Sequence, residues 1–169
     1  MYLANEGGES SSNTNLNYFL ETFGIEVNAG YRLLKSDVVA RDVFYKYLHP
    51  KEALITNGIL NRELNRAAGK TMDKEYSKDL AFVYPFGATL NVQPPAIPVL
   101  SSGTISYPLN RPIGAIYQTS QHGKILVLGS ANIFNDDYLD KEENIKVFDV
   151  MIQLLLTGKI LANRRYNCS

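Results

Sequence analysis

Apolar side chains recur along this chain in two rhythms. Residues 124–128 (Lys-Ile-Leu-Val-Leu) run with no polar alternation, the habit of a strand covered on both faces. The run stops at Gly129-Ser130, and after an acidic loop the spacing becomes helical. Ile145, Phe148, Met151, Ile152, Leu155 and Leu156 predict one apolar face, and Gly158 stands where a glycine ends a helix. Asp140, with Glu143 three residues on, has the spacing of a capping box. Near the start, Leu16, Phe19, Leu20 and Phe23 form a second helical stripe, with Asn13 or Thr14 as cap and Gly24 as stop. Residues 1–3 read as the end of a strand, a Ser/Asn-rich turn follows, and residues 25–27 read as a short strand.

The middle of the chain is less regular. Residues 28–36 read as a loop insertion around Gly30, and residues 37–45 as a strand with imperfect alternation. His49-Pro50-Lys51-Glu52 predicts the start of a short helix, because proline is favoured at the first helical position. Residues 59–68 predict another helix, with Leu60, Leu64 and Ala67 or Ala68 on one face and Gly69 at its end; residues 71–79 form a polar connector. Residues 80–92 predict a strand, a turn and a strand. Prolines at 94, 95, 98, 108 and 112 then mark residues 98–102 and 113–118 as edge strands or strands with irregular ends. The order predicts an α/β domain with an irregular antiparallel or mixed excursion in its middle.

Composition narrows the partners. With 45% apolar and 20% charged residues among 169, the chain is long enough and apolar enough for a real core. Its 17 basic residues balance 17 acidic ones. Zero formal charge argues against duplex nucleic acid, whose binding rests on neutralised phosphates, and favours a protein partner. The single cysteine, Cys168, excludes an internal disulfide framework and fits a reducing compartment. No leader pattern opens the chain and no apolar stretch suffices to cross a bilayer, so a soluble intracellular protein without membrane insertion is expected.

The strand-to-helix junction at Gly129-Ser130 is where α/β domains commonly bind ligands. Its chemistry is sparse. Ser130 has the position of a nucleophile elbow, but Leu128 and Asn132 occupy the places of the flanking glycines. His49 and His122 read as cap or turn residues. Gly69-Lys70-Thr71 resembles the tail of a phosphate loop whose first glycine is replaced by Leu64. Gly7-Gly8-Glu9-Ser10 follows strand-like residues, precedes a helix and offers backbone amides to an anion, although paired glycines at such a turn are usually geometric. Asp136, Asp137, Asp140, Glu142 and Glu143 lack calcium-loop spacing and are explained by a helix start. Tyr45-Lys46-Tyr47-Leu48-His49-Pro50-Lys51 alternates aromatic and basic residues. On a neutral chain this reads as a protein-contact surface of Tyr45, Tyr47, His49 and Lys51 rather than a single-strand nucleic-acid groove. No catalytic residue, cofactor or metal is expected. Two rivals remain: a module binding a sugar or anion at Gly7-Gly8 or Gly129-Ser130, and an enzyme using Ser130.

Several uncommon strings in one order add a resemblance. Gly7-Gly8-Glu9-Ser10, residues 13–24, residues 45–54, 58–63, 67–70, 83–89, 98–103, 108–112 and 138–144 resemble the N-terminal GIFT domain of the intraflagellar transport protein 52 family. The match runs from about Asn5 to Gly158. The resemblance implies a Rossmann-like α/β fold, a mixed sheet flanked by helices, distantly similar to class I glutamine amidotransferases. It implies a non-catalytic structural subunit of the intraflagellar transport B complex, needed for train assembly and cilium biogenesis. Its partners would be other subunits of that complex, and its location the cilium or flagellum and basal body, with a cytoplasmic pool. Residues 1–160 are expected to form a single partial domain, incomplete at its N-terminus and so with an exposed apolar sheet edge, and residues 161–169 an atypical tail.

Overall fold

The computed structural model describes residues 1–29, 49, 51–69 and 80–157. In chain order these form β1 (Tyr2–Leu3), α1 (Gly8–Ser12), α2 (Leu16–Glu21), β2 (Ile25–Val27), β3 (Glu52–Ile55), α3 (Arg62–Ala67), β4 (Phe82–Pro85), β5 (Leu90–Val92), β6 (Ile97–Ser101), β7 (Pro112–Gln118) and β8 (Lys124–Leu128). A 3-10 turn (Asn132–Phe134), α4 (Asp136–Leu139) and α5 (Asn144–Thr157) follow. The main sheet has the order β1-β8-β7-β6. β1 runs parallel to β8, while β7 pairs antiparallel with both of its neighbours, so the sheet is mixed. β2 with β5 and β3 with β4 make two further antiparallel pairs.

The unbroken apolar run of β8 has the environment that it predicts. Successive side chains of a strand point to opposite faces. Leu126 and Leu128 join one buried cluster with Ala53, Ile55, Phe82, Tyr84 and the α5 residues Val147, Val150, Met151 and Leu154. Val127, with partly buried Ile125, joins a second cluster containing Leu20, Ile25, Val27 and Leu90. Fully burying one such aliphatic side chain is worth about 1.5–3 kcal/mol. The sheet is therefore lined on both faces, by α5 and β3–β4 on one and by α2 and β2–β5 on the other.

Several local expectations are corrected. His49-Pro50-Lys51-Glu52 does not begin a helix: Glu52–Ile55 is strand β3, paired residue by residue with β4. Pairing buries Ala53 and Ile55 completely, a gain no isolated turn of helix offers. The Ser/Asn-rich stretch after Gly7 is helix α1 rather than a turn. Asn13 is its left-handed C-cap, φ 49°, and α2 begins after Asn15. The capping box at Asp140 and Glu143 does not form, since Asp140 ends α4. The Glu143 carboxylate instead accepts from Ala81 N–H at 3.1 Å and from Lys146 Nζ at 2.8 Å. The helix predicted over 59–68 narrows to α3, because Ile59 bridges to Leu100 at the sheet edge. The strand, turn and strand read over 80–92 are present as β4 and β5, each paired with an earlier strand.

The apolar face of α5 is also rotated from the one predicted. Val147, Val150, Met151 and Leu154 are buried, whereas Ile145, Phe148 and Leu156 are exposed. Lys124 Nζ donates to the carbonyls of Leu154 and Leu155 at 3.0 and 2.8 Å, so a lysine from β8 satisfies the helix end. Gly158, the strand at 37–45, the connector at 71–79 and the tail at 161–169 lie outside the described residues.

Candidate functional site at the strand–helix junction

Parallel pairing of β1 with β8 places the C-terminal ends of both strands at one end of the sheet. The turn at Gly7-Gly8 and the junction at Gly129-Ser130, more than a hundred residues apart in sequence, thus share one rim. Ala4 N–H donates to Leu128 O at 2.8 Å, Gly129 N–H to Ile113 O at 3.0 Å and Ala88 N–H to Gly129 O at 2.9 Å. Main chain therefore closes on main chain where a ligand crevice would open.

Side chains complete the closure. Ser130 is 0% exposed and its hydroxyl donates to Pro85 O, so it is neither accessible nor available as a nucleophile. Tyr84 is fully buried and donates to Ala88 O at 2.7 Å; burial holds its phenol well above its ordinary pKa. His122 sits in the exposed turn before β8, at φ 67°. Ser130 lies beyond the other end of that strand, whose five residues alone span roughly 16 Å. These two cannot work as nucleophile and base.

The Gly7-Gly8 turn is tied by main chain, and the carboxylate that follows it is directed to the next helix. Gly8 N–H donates to Asn5 O at 3.0 Å, and the Glu9 carboxylate accepts from Asn17 N–H, at the start of α2. Asn17 then clasps Val27 at both its N–H and its carbonyl, each at 2.9 Å. The glycines are structural, because they let α1 deliver Glu9 to α2.

Of the four residues read as a contact surface, Tyr45 and Tyr47 lie outside the described residues. His49 is exposed; its Nδ1 accepts from Lys51 N–H at 3.1 Å and its ring lies 5.2 Å from that of Phe86. Lys51 pairs with Glu6, next to the glycine turn. His49 and Lys51 are thus brought onto the same rim as Gly7-Gly8, a proximity set by Phe86, whose carbonyl accepts from Glu6 N–H at 3.0 Å.

Three polar residues that sequence reasoning passed over organise this rim. Glu52, 6% exposed, accepts from Tyr138 Oη at 2.8 Å and from His49 N–H at 3.1 Å. The Tyr138 phenol is pushed up to about 12, by desolvation first, then by its hydrogen bond to Glu52 and the charges of Glu52 and Asp137. Asn144 is fully buried and holds β4 to the junction through its amide. No periodicity marks their structural role, because it rests on bonds that span the chain, Tyr138 to Glu52 and Asn144 to Val83. Asp136, Asp137 and Asp140 are exposed, and among the described residues no three of His, Cys, Asp or Glu converge as a metal site. No helix of the described residues is long and apolar enough to cross a membrane.

Comparison with known proteins places this arrangement. A family model described as the IFT52 GIFT domain matches residues 1–166. The chain is 51% identical over 174 residues to the intraflagellar transport protein 52 homolog of Mus musculus, covering 97% of this chain and 39% of that protein. It is 53% identical over 168 residues to the Homo sapiens homolog, covering 94% of this chain and 37% of that one. Among solved structures it is similar to the mmIFT52 N-terminal domain, with TM-score 0.78 and 51% identity over 92% of this chain and 64% of that one. The chain spans less than two fifths of the length of the curated relatives it matches.

Proposed function

Because this chain belongs to the IFT52 GIFT domain family, we propose that it acts as a non-catalytic structural module of the intraflagellar transport B complex. In this reading it helps assemble transport trains and build the cilium, working through its surface on other subunits of that complex. It resides in the cilium or flagellum and at the basal body, with a cytoplasmic pool. The mixed sheet with helices on both faces is read as a Rossmann-like, amidotransferase-like frame from which the reactive groups are missing. One observation carries the proposal. The hydroxyls of Ser130 and Tyr84 at the junction are both buried and donate to main-chain carbonyls, so the place where a related enzyme would react is sealed by structural hydrogen bonds.

The exposed rim of His49 and Lys51, continued in sequence by Tyr45 and Tyr47, is proposed as one surface through which it meets those subunits. The test is incorporation. The epitope-tagged chain, expressed in ciliated cells, should sediment with the transport complex and enter cilia, and Ser130→Ala should do so equally. His49→Ala with Lys51→Glu should reduce incorporation severalfold. Sedimentation of the chain alone, beside an intact endogenous complex, would overturn the scaffold reading. A hydrolytic activity lost in Ser130→Ala would overturn the non-catalytic one.

A further inference from the structure

The face built by α2 and the β2–β5 pair combines two features that point to one kind of partner. The first is an aromatic ladder. Tyr18 and Phe19 are 83% and 52% exposed on α2. The Phe19 ring meets Phe23 edge-on at 5.0 Å, and Phe23 leans on Tyr117 of β7 at 5.0 Å. Exposed aromatic clusters of this sort mark places where protein surfaces meet.

The second is a cleft that opens directly after Phe23. It has a volume of about 290 Å³ and is lined by Glu21, Gly24, Ile25, Glu26, Asn91 and Gln93. Its walls are held in place beforehand. Gln93 N–H donates to Gly24 O at 2.8 Å, and Asn91 Nδ2 turns Glu26 by donating to its Oε2 at 2.9 Å. Gly24, at φ 79°, lies so close to Gln93 O that a Cβ there would sit 2.3 Å from it. Among the described residues neither Glu21 nor Glu26 meets a basic side chain. Glu21 follows Tyr18 by three positions, which puts carboxylate and exposed ring on one face of the helix.

Two carboxylates with no cationic partner among the described residues, in a cleft lined by the chain that follows this edge-on aromatic cluster, are complementary to an arginine flanked by apolar side chains. A guanidinium matches carboxylates and amide oxygens with its planar fork and stacks on aromatic faces. We propose that this surface docks a segment of a partner protein in which arginine alternates with large apolar residues. The arginine enters the Glu21–Glu26 cleft, and the apolar side chains lie along Tyr18, Phe19, Phe23 and Tyr117. The inference rests on the scaffold reading for the identity of the partner as a transport subunit, but not for the chemistry of the surface.

The experiment uses the whole chain and a fluorescein-labelled peptide of repeated Arg-Leu-Phe units, followed by anisotropy. Saturable binding is expected, and raising the salt from low to high ionic strength should weaken it. Glu21→Lys with Glu26→Lys should weaken it about tenfold or more, Glu21→Gln with Glu26→Gln by less, and Phe19→Ala about severalfold. Asp136→Lys, on α4 and not among the residues that line the cleft, should change nothing. Urea midpoints verify that each variant remains folded, and the glutamine pair keeps the test valid if charge reversal unfolds the chain. Equal binding of a peptide with Glu in place of every Arg, or undiminished binding by both Glu21/Glu26 pairs, overturns the proposal. So does the absence of saturable binding to the wild-type chain. A dimer in light scattering that Phe19→Ala disperses would make a second copy the occupant instead. If the charge-reversed chain still enters the transport complex fully while losing the peptide, this surface is not the one used there, and the scaffold reading stands. If the peptide binds as expected but the chain never enters the complex, that reading fails while the surface assignment stands.

Discussion

Asn144 is fully buried, and its amide meets four backbone groups. Oδ1 accepts from Val83 N–H at 2.8 Å; Nδ2 donates to the carbonyls of Val83, Ile133 and Tyr138 at 3.1, 3.3 and 2.9 Å. Asn144→Ala leaves these groups unsatisfied in a closed interior, so the unfolding free energy should fall by about 2–4 kcal/mol in urea titration. Two glycines make a contrast that backbone geometry decides. A Cβ on Gly129 would lie 2.1 Å from Ala88 O and 2.4 Å from Tyr84 Oη, and main chain cannot yield. Gly129→Ala should therefore cost about 3 kcal/mol or more. Gly69, at φ 77°, has nothing within 4 Å, so Gly69→Ala pays only left-handed strain, about 1–2 kcal/mol by the same measurement. Tyr138 supplies a test by pH. Its folded pKa of about 12 lies above the ordinary 10.0, so the folded state favours the neutral phenol. That contribution is whole below pH 10 and is lost as pH rises towards 12. Between those values the urea midpoint of the wild type should fall more steeply than that of Tyr138→Phe.

Strand β3 and helix α5 differ in how well their neighbours in sequence foretell them. His49-Pro50-Lys51-Glu52 has the local chemistry of a helix start, and pairing with β4 overrides it. In α5 the helical rhythm is plain, yet apolar residues occupy both sides, so periodicity identifies the helix without choosing its buried side. The sheet chooses: Val147, Val150, Met151 and Leu154 fit against Leu126 and Leu128, leaving Ile145, Phe148 and Leu156 outside. Met151→Ala should accordingly cost about 2–5 kcal/mol, as truncation in a closed core does. Leu156→Ser, at a position 79% exposed, should stay within about 0.5 kcal/mol of wild type. Equal losses at the two positions would mean that the helix is turned the other way.

Two buried clusters on opposite faces of one mixed sheet make the molecule depend on β7 and β8, each of which contributes to both. Electrostatics at this level is a matter of balance. With 17 residues of each sign and an isoelectric point near 6.7, the chain carries little net charge near neutral pH to keep copies apart. Static light scattering should show the greatest self-association close to pH 6.7, declining on either side. A scattering intensity that does not change with pH would show that specific contacts, not lack of charge, govern association.

Much of this protein could be read from residues adjacent in the chain. The buried strand at 124–128, the helix after it, the stripe of Leu16 and Leu20, the strand at 25–27 and the unsuitability of Ser130 for an elbow all follow from local pattern, because period and turn chemistry are properties of short segments. The uncommon strings that carry the family resemblance are local too. What pattern could not supply is which distant segments meet. Parallel pairing of β1 with β8 brings Gly7-Gly8 and Gly129-Ser130 to one rim, and β2–β5 pairing sets Glu26 beside Asn91. Glu52 and Asn144 become structural centres only because chain far away in sequence buries them. Burial and pairing are sums over many segments, so they exist only once the chain has closed on itself.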